Sequence, residues 1–255
     1  MQNQHPNNYL ISYHTLRQLI GILGMALPFI CWGVNSFVNK TNLLNNHWFI
    51  HSSFSHAYLP GNNLKSSISH FYYTASGPAF VGILVTVAVF LFTYKGHPLK
   101  KQHDKFYWLT DKLLTRSAAI CALGIVIFPT SSQTAITDNI YIFVASHTAG
   151  IIHLSFAALF FIIIALLSII NFRRAPNKNF IKNAEGNTYL FCGWGILVCI
   201  TILAIYSFTA LANVNWLPYY FIYLVETIML TLFGIAWLVK GKSLPTQYIL
   251  NRIQA

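Results

Sequence analysis

Residues 143–171 read FVASHTAGIIHLSFAALFFIIIALLSIIN, a stretch without a single Asp, Glu, Lys or Arg. It is well beyond the roughly 18 apolar residues that cross a hydrocarbon layer. Working outward, five further apolar blocks, each near or above that length, stand at 19–38, 71–94, 113–130, 189–212 and 217–239; the third is the weak one, short after Arg116, whose side chain could snorkel to the inner headgroups. None alternates with the period of two that a membrane barrel strand requires. Backbone N–H and C=O groups in hydrocarbon must then be satisfied within helices. The expected fold is an all-α, polytopic membrane helix bundle of about six transmembrane helices, forming one domain over 1–255.

Composition agrees. Of 255 residues, 55% are hydrophobic and 8% charged, whereas a soluble domain carries about a quarter charged residues. A water-soluble globule could not cover its surface with so few charges. The first block, which follows Arg17, lacks a small-x-small cleavage pattern and reads as a retained span.

The net charge of +11 raises nucleic acid as a partner, but the basic residues lie between apolar blocks rather than on one face. No nucleic acid is expected; the bilayer is the partner. Segment 95–112 holds Lys95, Lys100, Lys101, Lys105 and Lys112, segment 172–187 holds Arg173, Arg174, Lys178 and Lys182, and the tail adds Lys240, Lys242 and Arg252. The alternate connections 131–142 and 213–216 have no Lys or Arg, and 39–70 has only Lys40 and Lys65. A bias that recurs at every second connection predicts a multi-pass protein with both termini cytoplasmic, in a cell membrane that is the inner membrane if the source is bacterial.

Several local readings follow. Pro28 and Pro78 lie inside predicted spans and are expected to kink them, while Pro218 reads as a first-turn proline. Gly21 with Gly24, and Gly193 with Gly195, would let helices approach closely. Cys31, Cys121, Cys192 and Cys199 all sit in apolar blocks, as small buried hydrophobes rather than a disulfide framework. Trp48, Phe49, Ile50, Phe54 and Tyr58 give 41–60 the character of a membrane-surface segment.

Polar residues inside the spans carry the functional reading. Glu226 lies roughly 21 Å from the inner boundary, counting back from Lys240 at about 1.5 Å per residue. An unpaired carboxylate there costs about 2.5–3.5 kcal/mol, so it must face the bundle interior. Tyr219, Tyr223, Met229 and Phe233 share its face. His153 lies roughly 27 Å from the same boundary, counted from Asn171, and is the expected partner of Glu226. His70, Tyr73 and Thr74, with Ser66, Ser67, Ser69 and His147, make a polar set at the outer leaflet. The ordinary alternatives are interhelical glue for Glu226, a satisfied hydrogen-bonder for His153, and an interfacial belt for the rest.

No complete metal set is expected; His70, His147 and His153 are the candidates there are. His47, His51 and His56 crowd the first outer loop without a carboxylate or Cys to close a site, and His97 and His103 read as solvated loop residues. There is no phosphate-cradling loop, nucleophile elbow or H-E-x-x-H.

Longer matches extend along the chain: Ser12-Tyr13 and Leu16-Arg17 before Ile20-Gly21-Ile22-Leu23-Gly24; Ser66-Ser67-Ile68-Ser69 before Tyr72-Tyr73-Thr74; Phe80-Val81-Gly82; Tyr94-Lys95-Gly96; Ala122-Leu123-Gly124; Phe128-Pro129-Thr130; Ile152-His153; Glu226; and Phe233-Gly234 before Trp237-Leu238-Val239-Lys240-Gly241. In these the chain resembles an uncharacterised family of small six-span bacterial membrane proteins. That resemblance implies one domain and no stated activity; it departs at Gly77-Pro78, where relatives often carry Arg-Asp. Ser66 and His70, four apart near a helix end, are also similar to the alkaline ceramidase and adiponectin-receptor superfamily of membrane zinc hydrolases. That superfamily needs a late His-x-x-x-His, and this chain has no His after His153.

Three functions remain open on this reading. The leading one is an outward-facing polar pocket lined by Glu226, His153, His70, Tyr73 and Tyr223 that binds or transports a small or lipid-derived ligand, with proton coupling. The second is a membrane-embedded hydrolase acting on a lipid, with or without metal. The third is a haem-binding electron-transfer protein with His70 and His153 as axial ligands. The sequence assigns no cofactor and no oligomeric state.

Overall fold

The structure is a computed structural model and describes residues 8–41, 64–96, 107–131, 146–174, 183–209, 217–243, 246 and 249–250. Its helices are α1 (Asn8–Thr41), α2 (Gly77–Thr93), α3 (Asp111–Ile127), α4 (His147–Leu166), α5 (Ala184–Phe208) and α6 (Phe221–Lys240). A 3-10 helix, Ile68–Tyr73, precedes α2, and a π-turn, Leu167–Asn171, ends α4. There is no strand among the described residues. The chain is an all-helical membrane bundle: α1, α4 with its π-turn, α5 and α6 are long and apolar enough to cross a membrane. The apolar α2 is shorter, at 17 residues, and α3, also 17 residues, opens on Asp111 and Lys112.

Each helix packs on its chain neighbour and α6 closes back on α1. The result is an up-and-down ring in which odd helices start where even helices end. Apolar side chains drive no association between helices in lipid, so close packing must hold the ring. The α1–α6 contact shows how: a Cβ on Gly21 would lie 2.8 Å from the Gly234 carbonyl oxygen, and one on Gly234 would lie 2.7 Å from the Gly21 carbonyl oxygen. Gly24 lies under the Phe233 ring, and Gly195 against Leu232. An aromatic seam fills the middle, with Trp237 5.0 Å from Phe172 and 5.2 Å from Tyr94, centroid to centroid, and Phe233 beside Phe160.

Two prolines behave differently from expectation. The span drawn at 71–94 is a 3-10 helix followed by a separate α-helix, so Pro78 occupies the first turn of α2 behind Ser76. A first-turn proline forfeits no intrahelical bond, and it kinks nothing. Pro218 lies ahead of α6, in a turn closed by Phe221 N–H donating to the Pro218 carbonyl. Pro28 is inside α1 as expected, and Tyr223 Oη donates to its carbonyl at 3.0 Å. The stretch 42–60 and the histidines at 47, 51, 56, 97 and 103 lie outside the described residues.

The end of the ring where α1 starts and α6 ends is interlocked by buried charge. Arg17, 4% exposed, donates to the Lys240 carbonyl at 3.1 Å and to Tyr94 Oη at 3.2 Å, with its guanidinium 4.1 Å from the Tyr13 ring centre. Lys240 Nζ donates to the Phe172 carbonyl at 3.0 Å. Asn171 Nδ2 donates to the Leu109 carbonyl and to Asp111 Oδ1, and Arg174 also donates to the Leu109 carbonyl. Cations thus meet carbonyls at the C-terminal ends of α4 and α6, groups that have no partner within their own helices. The sequence reads Arg17 and Lys240 as flanking charge; they are buried because six helix ends converge on them.

Candidate functional site

The opposite end of the ring is closed by residues 64–76, where three titratable side chains, Glu226, His153 and His70, meet the serines of one turn. Ser67 caps the 3-10 helix, accepting from Ser69 N–H at 3.2 Å. Such a short turn leaves polar groups that its own helix cannot satisfy. They are met from other helices. Ile68 N–H donates to Glu226 Oε2 at 2.6 Å, and Ser67 Oγ donates to the same carboxylate, 3.0 Å from each oxygen. Tyr223 N–H, in the first turn of α6, donates to the Ser66 carbonyl at 2.9 Å.

From α4, His153 reaches the same turn. Its Nδ1 lies 3.0 Å from the Ile125 carbonyl oxygen and 2.8 Å from that of Phe128, and its Nε2 lies 2.8 Å from Ser69 Oγ. Carbonyls only accept, so Nδ1 carries the proton of the neutral ring. The lone pair is on Nε2, and Ser69 Oγ–H donates to it. The imidazole is 4% exposed, whereas Ser66, Ser69, His70 and Glu226 are only partly buried.

His153 and Glu226 are therefore not a pair. Each binds a hydroxyl of one turn, Glu226 that of Ser67 and His153 that of Ser69, two residues apart. Counting residues gives the depth of a side chain along its helix but not what is inserted between helices.

The other expected residues also anchor this segment. Tyr73 Oη donates to the Thr130 carbonyl, and Tyr223 Oη to that of Pro28. His70 Nδ1 lies 2.9 Å from Ser66 Oγ. His70 precedes the spanning helix, and burial holds its imidazole below its ordinary range; the Ser131 backbone bond opposes this, and the charge of Lys65 adds to it. Thr74 folds back on the Phe71 carbonyl at 2.8 Å.

His147 is exposed at the start of α4. Six residues separate it from His153, which turns it roughly 240° around the helix, so the two do not share a face. Among the described residues no three His, Cys, Asp or Glu side chains converge as metal ligands. Both nitrogens of His153 are engaged on protein oxygens, so ligation of zinc or haem iron there would first have to break the Ser69 contact.

Reading the sequence places Ser69 in the outer polar set but does not join it to His153. The only signal is weak: a serine run before an aromatic 3-10 turn, and a lone His in an apolar helix. No protein-family model, curated protein or solved structure matches the chain.

Proposed function

We propose that this is a multi-pass protein of the cell membrane with both termini cytoplasmic. On this reading the end closed by residues 64–76 faces outward and binds a small or lipid-derived ligand there, with proton exchange at His153 and Glu226. The alternation of basic connections supports the orientation. The observation that carries the ligand reading is that His153 and Glu226, from two different helices, end on Ser69 and Ser67 of one partly exposed turn.

A hydroxyl can reverse its role, which makes this turn responsive. Neutral His153 accepts from Ser69; an imidazolium donates from both nitrogens, so Ser69 must turn its proton elsewhere. A protonated Glu226 likewise presents an O–H, which Ser67 can accept where before it could only donate. Each proton therefore rewrites the hydrogen-bonding pattern that the turn offers to a ligand. Intramembrane ionisable groups on polar partners of this kind are where membrane proteins handle protons and ligands.

The test is native mass spectrometry of the protein purified from its host membranes in mild detergent, for wild type, Glu226→Gln and Ser69→Ala. The expected result is a retained small molecule or lipid, about one per chain, lost at least ten-fold from both variants. Wild type that retains nothing beyond exchangeable bulk lipid would overturn the reading.

A further inference from the structure

The hydrogen bond between Ser69 and His153 has the direction and support of a nucleophile on its base. Ser69 Oγ is 2.8 Å from Nε2, within the 2.6–3.2 Å reach that proton transfer requires. The Ile125 and Phe128 carbonyls hold Nδ1–H, fixing the tautomer that leaves Nε2 basic and the ring plane that aims it at Ser69. Orienting the base in this way is the task of the third member of a hydrolytic triad. The serine is partly exposed and the base is buried, so a substrate can meet the hydroxyl while the imidazole stays dry.

We propose that Ser69 is an acyl-accepting nucleophile, with His153 as its general base, for a carboxylic ester carrying an apolar chain. This rests on the outward orientation given above. Ser69 Oγ bonds to the ester carbonyl carbon as its proton passes to His153 Nε2, and the carbonyl π pair moves onto oxygen. Return of that pair breaks the bond to the alkoxy group, which departs as the alcohol with the proton from Nε2. Water then attacks the acyl-serine, giving its proton to Nε2; the acid is released, and Ser69 recovers its proton. The sum is ester plus water to acid plus alcohol.

Depth and surroundings select the substrate class. Eighteen residues of helical rise, roughly 27 Å, separate His153 from Asn171 at the opposite end, in a hydrocarbon layer of about 30 Å. The pair therefore lies where acyl chains of the outer leaflet reach their ester carbonyls. Ile151 and Leu154 beside it on α4 are exposed apolar surface. The amides of the turn are already spent, Ile68 N–H on Glu226, Ser69 N–H on Ser67 Oγ and His70 N–H on the Ser67 carbonyl. One missing oxyanion donor costs about 10²–10³ in rate. The chemistry is therefore slow and restricted to esters, whose alcohols leave more readily than the amines of amides.

An alkyl fluorophosphonate tests the pair without knowledge of the natural substrate. The full-length protein in nanodiscs is treated with the probe, digested and mapped by mass spectrometry, and hydrolysis of 4-nitrophenyl octanoate is followed on the same samples. The expected adduct is on Ser69, at least ten-fold slower in His153→Gln, absent in Ser69→Ala, and unchanged in Ser155→Ala on the exposed face of α4. Ester hydrolysis should fall in step with labelling. The wild-type adduct is read directly, and a His153→Gln variant that melts with wild type separates slowed chemistry from misfolding. Wild type unlabelled at Ser69, or labelled at a rate independent of His153, would overturn the proposal. Retained ligand without labelling would leave the binding site standing and remove the chemistry alone.

Discussion

Replacing Glu226 tests whether the short turn is held by its carboxylate. Glu226→Ala removes the acceptor of Ile68 N–H, at 2.6 Å, and of Ser67 Oγ, at 3.0 Å. On a soluble-protein scale each hydrogen bond to a charged group contributes about 1.5–3 kcal/mol. Measured interhelical bonds within membranes are weaker, averaging about 0.6 and reaching about 1.7 kcal/mol, because the unfolded chain in lipid finds other partners. A backbone N–H in a turn six residues long has few substitutes, so the expected loss lies between the scales, at about 2–4 kcal/mol. For a chain of this size that is roughly 4–16 °C in melting temperature. Glu226→Gln keeps an oxygen for Ile68 and loses only the charge-assisted part, about half the strength of the bonds. Its melting temperature should fall about half as far. Thermal unfolding in detergent gives the global value, and hydrogen exchange at Ile68, Ser69 and His70 gives the local one. An alanine variant that melts within about 2 °C of wild type, with unchanged exchange at Ile68, would refute the anchoring role.

Other perturbations probe other levels of the structure. Gly234→Ala puts a methyl 2.7 Å from the Gly21 carbonyl oxygen and 2.0 Å from Met25 Cγ, so α1 and α6 must separate, at a cost of about 1–3 kcal/mol in thermal unfolding; an unshifted melting temperature would contradict the close approach. His70 is held below its ordinary range of about 6.5, chiefly by burial, so its contribution is complete above that pH and is lost as pH falls towards its folded value. Melting from pH 8 to pH 5 should show wild type declining below about pH 6.5 and His70→Asn declining less. Reporters fused at either terminus should read as cytoplasmic, and one at Ser132 as external; termini on opposite sides would sink the orientation.

The fold was legible because hydrophobic blocks state their own length and chemistry. Each of the six blocks has an α-helix among the described residues, four of them long and apolar enough to cross a membrane, and the small residues Gly21 and Gly24 lie in a close contact, as expected. What failed was continuity. The run 71–94 carries no charged residue, and hydropathy alone does not see that a proline at position 78 begins a new helix more cheaply than it interrupts an old one. The buried charges failed for a related reason: at the end of an apolar block a lysine reads as a flank, and only the meeting of six helix ends turns Lys240 inward.

The site was half legible, and the missing half has one cause. Depth can be read from sequence, since each helical residue advances about 1.5 Å, and depth brought Glu226, His153 and the serines to one end of the bundle. Azimuth and insertion cannot be read that way. Placed at one level, a carboxylate and an imidazole invite pairing, yet a turn of hydroxyls and amides between them offers each a better-matched partner: donors for the carboxylate, one donor for the imidazole lone pair. Had the two paired directly, Ile68 N–H and Ser67, both buried, would need other acceptors, and a buried group left unsatisfied costs about 1–3 kcal/mol. Satisfying the turn is thus what separates Glu226 from His153, and the same requirement leaves Ser69, rather than the carboxylate, on the histidine.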